Sequence, residues 1–187
     1  MKIDKIKYDN FDMASHGSLE FHGPQIEEVI EISQPKNILE IGFFRGGSSL
    51  LWLLGSEAKV TAVDPIVDAD VEISLAAATK LKDNFGERFE FLKKKSGDAF
   101  NEGDLKEKFD LIYIDGDHSF NGVEIDINIG LKLGIKYFLV DDFWYEVEPA
   151  FNKYKENFEL IKYFPMHPHF PRIGQPPQAF FKNLNIK

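Results

Sequence analysis

The chain has 187 residues, 43% of them hydrophobic, with 18 Phe and a formal net charge of −9. That length and apolar content suit one domain, 1–187, with its own core, and exclude a disordered chain. The acidic balance argues against nucleic acid as a partner, and the absence of cysteine excludes disulfides, thiolate nucleophiles and zinc–thiolate sites.

The first residues, MKIDKIKYDNFDMAS, carry charges and no apolar run, so they do not read as a signal peptide. No stretch approaches the ~20 apolar residues of a membrane span, and a soluble, cytoplasmic protein is expected. Residues 1–36 read as a cap segment with a helix over 24–33, and 37–187 as the core. His16 and His22 flank this cap in HGSLEFHGP, where helix-start roles are favoured over catalysis by about three to one. From residue 37, short β-rich apolar runs alternate with helical patterns, the signature of βαβ units around a parallel sheet. Strands are expected at 37–42, 59–64, 88–93, 109–114 and 136–140, with helices over GSSLLWLL, 72–84 and about 120–132. Trp52 falls in the first of these helices and is a core residue. Lys93, Lys94 and Lys95 read as a solvated strand end. In the tail, 158–164 and 178–184 flank a proline-rich connection and predict an antiparallel hairpin. The expected architecture is a doubly wound, Rossmann-like α/β sheet, order 3-2-1-4-5-7-6, ending in that hairpin.

Ligands of such sheets bind at the carboxyl edge. There the chain places Glu40-Ile41-Gly42-Phe43-Phe44-Arg45-Gly46-Gly47-Ser48. Gly42 permits close backbone approach, Gly46 and Gly47 a tight turn, and the helix amides that follow favour an anion. Asp64, 22 residues after Gly42, ends the second strand where an acid commonly accepts from a ribose diol. A dinucleotide turn wants G-x-G-x-x-G, but Phe43 and Phe44 follow the first glycine, which disfavours an NAD-dependent oxidoreductase. The fourth strand ends in Asp115-Gly116-Asp117-His118 and the fifth in Asp141-Asp142. Neighbouring strands lie about 4.8 Å apart. Carboxylates converging there repel one another unless a cation neutralises them. All-oxygen ligands favour a hard ion such as Mg²⁺, with Asp115, Asp141 and Asp142 as candidates.

These stretches also resemble a known family. NILEIGFFRGGSSLLWL is similar to motif I of class I S-adenosylmethionine-dependent methyltransferases, VTAVDP to the acidic motif that follows, and SGDAF to the adenine-contacting loop. FDLIYIDGDHSFNGVEIDI and YFLVDDFW resemble the strand-four and strand-five motifs of metal-dependent sugar O-methyltransferases of macrolide and aminocoumarin biosynthesis. The resemblance covers about residues 35–145 and implies S-adenosylmethionine as cofactor. Glu40, Gly42, Phe43, Gly46, Ser48 and Asp115 would line its site, with Glu40 and Gly42 against the methionine end and Asp64 on the ribose. Asp98 would accept from the adenine amino group and the Ala99 amide would donate. The same three aspartates would hold the metal. Where such proteins often carry Pro-Gly-Gly before strand five, this chain reads Leu133-Gly134-Ile135, a change expected to alter a turn only.

The expected activity is methyl transfer to a hydroxyl of a small molecule, a sugar, catechol or other vicinal oxygen pair. His118 is the expected base, since its ordinary pKa near ~6.5 suits neutral pH; Asp117 is the rival. Both also suit a plain helix cap, and Asp142 a solvent-facing position. Phe143 and Trp144 suit an aromatic wall for the acceptor, and His167, His169 and Arg172 either that pocket or an ordinary loop. A metal-independent enzyme, a silent S-adenosylmethionine-binding module and, less favoured, an RNA methyltransferase are the competing readings. The hairpin edge is where a second copy would pair.

Overall fold

A computed structural model describes residues 3–11, 22–67, 71–166 and 176–186. Seven strands form one sheet in the order β3-β2-β1-β4-β5-β7-β6, as expected. They are β1 (Asn37–Ile41), β2 (Lys59–Val63), β3 (Phe89–Leu92), β4 (Leu111–Ile114), β5 (Tyr137–Val140), β6 (Phe158–Phe164) and β7 (Gln178–Asn183). The first five run parallel, and β7 inserts antiparallel between β5 and β6. Placing β7 beside β5 sets the start of a late strand against the carboxyl end of an early one, with Ala179 opposite Val140.

The helices among the described residues are α1 (Lys5–Asn10), α2 (Gly23–Ser33), α3 (Gly47–Gly55), α4 (Val71–Phe85), α5 (Ser96–Asn101), α6 (Phe120–Lys132) and α7 (Val147–Asn152). Strands buried on both faces read as continuous apolar runs, and successive side chains divide between two cores. Ile38, Leu111, Tyr113 and Leu139 join Val29, Leu50, Trp52 and Leu81 of α2, α3 and α4. Leu39, Ile112, Ile114 and Val140 join Ala99, Val123, Ile127 and Phe151 of α5, α6 and α7. Trp52 is fully buried, its ring edge-on to Tyr113 at 5.8 Å. Lys94 is held at the surface by Glu102 and Asp104, each at 2.5 Å. Gly134, at φ 67, ends α6 in a left-handed turn, so the departure at Leu133-Gly134-Ile135 is local. No helix among the described residues is long and apolar enough to cross a membrane. His16 and the histidines and arginine of the proline-rich connection, His167, His169 and Arg172, lie outside the described residues.

Candidate active site

The glycine turn begins where β1 meets the end of β4. Gly42 has φ 96, and a Cβ there would stand 2.0 Å from the Asp115 carbonyl oxygen, so only glycine fits. Gly46, at φ 76, turns the chain into α3. Of the five described non-glycine residues with positive φ, four lie at this carboxyl edge: Phe44, Ile66, Asp142 and Tyr145. A β-branched residue such as Ile66 seldom tolerates that backbone, and such strain collects at functional rims.

Glu40 is fully buried and accepts from the hydroxyls of both Ser48 and Ser49. Burial pushes its carboxyl up to about 8; the serine hydroxyls oppose this, and Asp115 and Asp64 add to it. At neutral pH the side chain is therefore mostly a neutral acid tying β1 to the first turn of α3. Phe43 gives the site only its backbone, because its ring packs in the core against Phe91 at 4.7 Å and Phe89 at 5.9 Å. Asp64 has its carboxylate filled by the chain itself. Oδ2 accepts from the amides of Phe43 (2.8 Å) and Phe44 (2.9 Å), and Oδ1 from that of Ile66 (2.7 Å). Its place at the rim is the expected one, and its visible work is to shape the glycine turn. A cavity of about 350 Å³ opens beside that turn, lined by His22, Gly42, Arg45, Gly47, Ser48 and Asp115 among others.

The adenine-loop candidates behave differently. SGDAF reads as a loop, but the chain is helical from Ser96. Asp98 is exposed, while the Ala99 amide is drawn inward to the Lys95 carbonyl at 3.0 Å. The early helix start has a tertiary cause. Asp126, buried on α6, accepts from the Ser96 hydroxyl at 2.6 Å. Burial raises the Asp126 carboxyl to about 7.

The acidic edge comes together from β4 and β5. Single ligand atoms of Asp115, His118 and Asp141 lie within 4.8 Å of one another. Asp142, the third expected ligand, meets this group only through His118. Its Oδ2 takes His118 Nδ1 at 2.8 Å and its Oδ1 takes Trp144 Nε1 at 3.1 Å. His118 Nε2 stands 3.5 Å from Asp115 Oδ1, too far for a good hydrogen bond, and is buried without another partner. Burial lowers His118, but the Asp115 and Asp142 carboxylates outweigh it and push the imidazole up to about 10. Burial, then the facing Asp115 carboxylate, pushes Asp141 well above the usual range, and the Gln178 amide opposes them. Two close carboxylates and an orphaned ring nitrogen form a donor set that a divalent cation fits. Two oxygens and one nitrogen suit Mg²⁺ less strictly than an all-oxygen set and also admit softer ions such as Mn²⁺.

Asp117 faces away from this group. Its Oδ1 accepts from the Ser119 amide at 3.0 Å, which holds its carboxyl below the usual range, and Ser119 caps α6. Its helix-start role is what the geometry displays. Phe143 is half-buried and packs one side on Phe181 (5.4 Å) and Phe151 (5.8 Å).

One residue, Gln178, escaped the sequence reading, and a second, His22, was read there as a helix start. Gln178, fully buried at the start of β7, donates to Asp141 Oδ1 at 2.6 Å and lies 3.1 Å from His22 Nδ1. His22 precedes α2 but makes no side-chain cap. Burial lowers its pKa, against the pull of Asp115 and Asp142. At a separation of 156 positions along the chain, no local pattern links this pair.

The profile of the family described as "Methyltransferase domain" matches residues 39–133, half of the chain. An uncharacterized protein of Acanthamoeba polyphaga mimivirus, R132, is 33% identical over 177 residues, covering 88% of this chain and 78% of that one. Among solved structures, the O-methyltransferase from Bacillus cereus in complex with S-adenosylhomocysteine superposes with a TM-score of 0.67 at 17% identity. That match covers 95% of this chain and 87% of the other. The O-methyltransferase TomG from Streptomyces achromogenes, in complex with S-adenosylmethionine, gives 0.64 at 13% identity over 95% and 94%.

Proposed function

Because the chain belongs to the methyltransferase-domain family and has the class I, S-adenosylmethionine-dependent architecture, we propose that it methylates a hydroxyl oxygen of a small molecule, assisted by Mg²⁺. The observation that carries this reading is the meeting of Asp115, His118 and Asp141 beside the cavity of the glycine turn. In the transfer the sulfonium–carbon bond breaks as the oxygen–carbon bond forms, and the hydroxyl proton must leave. Holding donor and acceptor in line supplies much of the rate.

The chain's own groups divide this work. The turn from Gly42 to Ser48 receives the donor, and Asp64 keeps that turn in shape. Asp115 and Asp141 would hold the cation, which leaves His118 Nε2 for the acceptor's proton and Asp142 on Nδ1. When bound, the ion supplies a more acidic acceptor hydroxyl and favours vicinal oxygens. His118 is the proton acceptor, its ring oriented by Asp142 through Nδ1. The carboxylates of Asp115 and Asp142 keep the ring protonated, so a base role requires one of them to be engaged elsewhere. Asp115 is the one shared with the ligand set.

A second reading, a metal-independent enzyme, is favoured by the 2.8 Å pairing of His118 with Asp142. One experiment separates the two. Mg²⁺ is titrated by calorimetry into protein loaded with S-adenosylhomocysteine, beside an Asp141→Ala variant. Saturable binding that the variant loses supports the metal-assisted enzyme. Absence of binding in the wild type rejects it in favour of the His118–Asp142 pair alone.

A further inference from the structure

His22 stands outside the machinery just described, yet it lines the same cavity as Gly42, Ser48 and Asp115. Its position suits a helix cap, but its side chain makes no cap hydrogen bond and its ring turns to Gln178. Asp141 fixes the direction of that contact. The Gln178 amide nitrogen sits 2.6 Å from Asp141 Oδ1, and with Asp141 ionised, the form that holds a cation, reversing the amide would set Oε1 against that oxygen. Three acceptors surround this nitrogen, which has two hydrogens. The partners at 2.6 Å and 3.1 Å, Asp141 and His22, take precedence over the Tyr113 hydroxyl at 3.3 Å. Gln178 Oε1 is left buried with no hydrogen-bond partner, so the amide keeps its orientation at a cost.

With Gln178 donating, His22 Nδ1 accepts, and the ring proton sits on Nε2. Nε2 is then the ring nitrogen left to donate, on a residue that lines the cavity. The same cavity is lined by Gly47 and Ser48, the first residues of the nine-residue α3, whose leading amides favour negative charge. An N–H donor sharing a cavity with a helix amino terminus makes a recess for a carboxylate.

We propose that His22 binds the carboxylate at the amino-acid end of the methyl donor, donating from Nε2, with Gln178 holding the ring. This rests on the cavity being the methyl donor's site. The test is calorimetry with two probes, S-adenosylhomocysteine and 5′-methylthioadenosine, which lacks the amino-acid end. Wild type, His22→Ala and His22→Asn are compared, with thermal melts confirming that each is folded. Loss of a hydrogen bond to a charged group should weaken S-adenosylhomocysteine binding by His22→Ala about tenfold or more. Binding of 5′-methylthioadenosine should stay within about twofold, since no such bond is lost, and His22→Asn, which keeps an N–H donor, should recover part of the loss. Equal weakening of both probes, or unchanged S-adenosylhomocysteine binding, overturns the assignment. A folded wild type that binds neither probe overturns the methyl-donor reading itself, a distinct result.

Discussion

Replacing Glu40 by glutamine tests whether a fully buried acid at the end of β1 is neutral in the folded protein. Both carboxyl oxygens meet serine hydroxyls, and burial raises the group from 4.5 to about 8. A folded-state pKa above the unfolded value means that the native protein holds the proton longer. The stabilisation is complete below about pH 4.5 and is lost as pH rises through about 8. At about 1.36 kcal/mol per pH unit, that interval corresponds to roughly 5 kcal/mol. Glutamine reproduces the neutral acid, with Oε1 accepting from one serine and Nε2 donating to the other. Urea unfolding of wild type and Glu40→Gln, followed by tryptophan fluorescence at pH 5, 6.5 and 8, reads the difference directly. The wild type should start level with or above the variant at pH 5 and fall below it by a few kcal/mol at pH 8. A difference flat to within about 0.5 kcal/mol across that range would show that Glu40 is charged in the fold, and the reasoning fails.

Gly42→Ala should cost at least about 3 kcal/mol, because the new Cβ collides with the Asp115 backbone and the φ is left-handed; denaturant unfolding measures it. Asp64→Asn offers one acceptor oxygen where three amides are now served. It should loosen the glycine turn and weaken S-adenosylhomocysteine binding about tenfold, read by calorimetry. Asp126→Ala removes the partner of Ser96; α5 should fray at its start, seen as faster amide exchange at residues 99–101, with β1 unaffected. Phe43→Ala should behave as a core truncation, losing about 3 to 5 kcal/mol of stability by denaturant unfolding.

The parallel strands were readable because burial on both faces leaves them continuously apolar, as in LIYI and YFLV. Their carboxyl ends follow from that, which is why the sequence places Asp115 and Asp141 on neighbouring strand ends. The helix at Ser96–Asn101 was hidden because Ser, Gly, Asp and Asn favour turns, and its stability comes from Asp126 on another helix. Asp142 shows a second kind of hiddenness. Its backbone at φ 50 turns the side chain onto His118 and Trp144, an orientation that spacing along a strand does not encode. The pairing of His22 with Gln178 depends on β7 inserting beside β5, a consequence of topology rather than of any motif.

The contact of Gly42 with the Asp115 carbonyl has a consequence for how this protein tolerates change. The glycine turn and the acidic edge meet through main-chain atoms alone. Their separation is set by a backbone gauge with no side chain in it. Asp141 and Asp142, which are not among the residues lining the cavity, can therefore be exchanged without moving the glycine turn. A substitution at the junction itself displaces both partners at once.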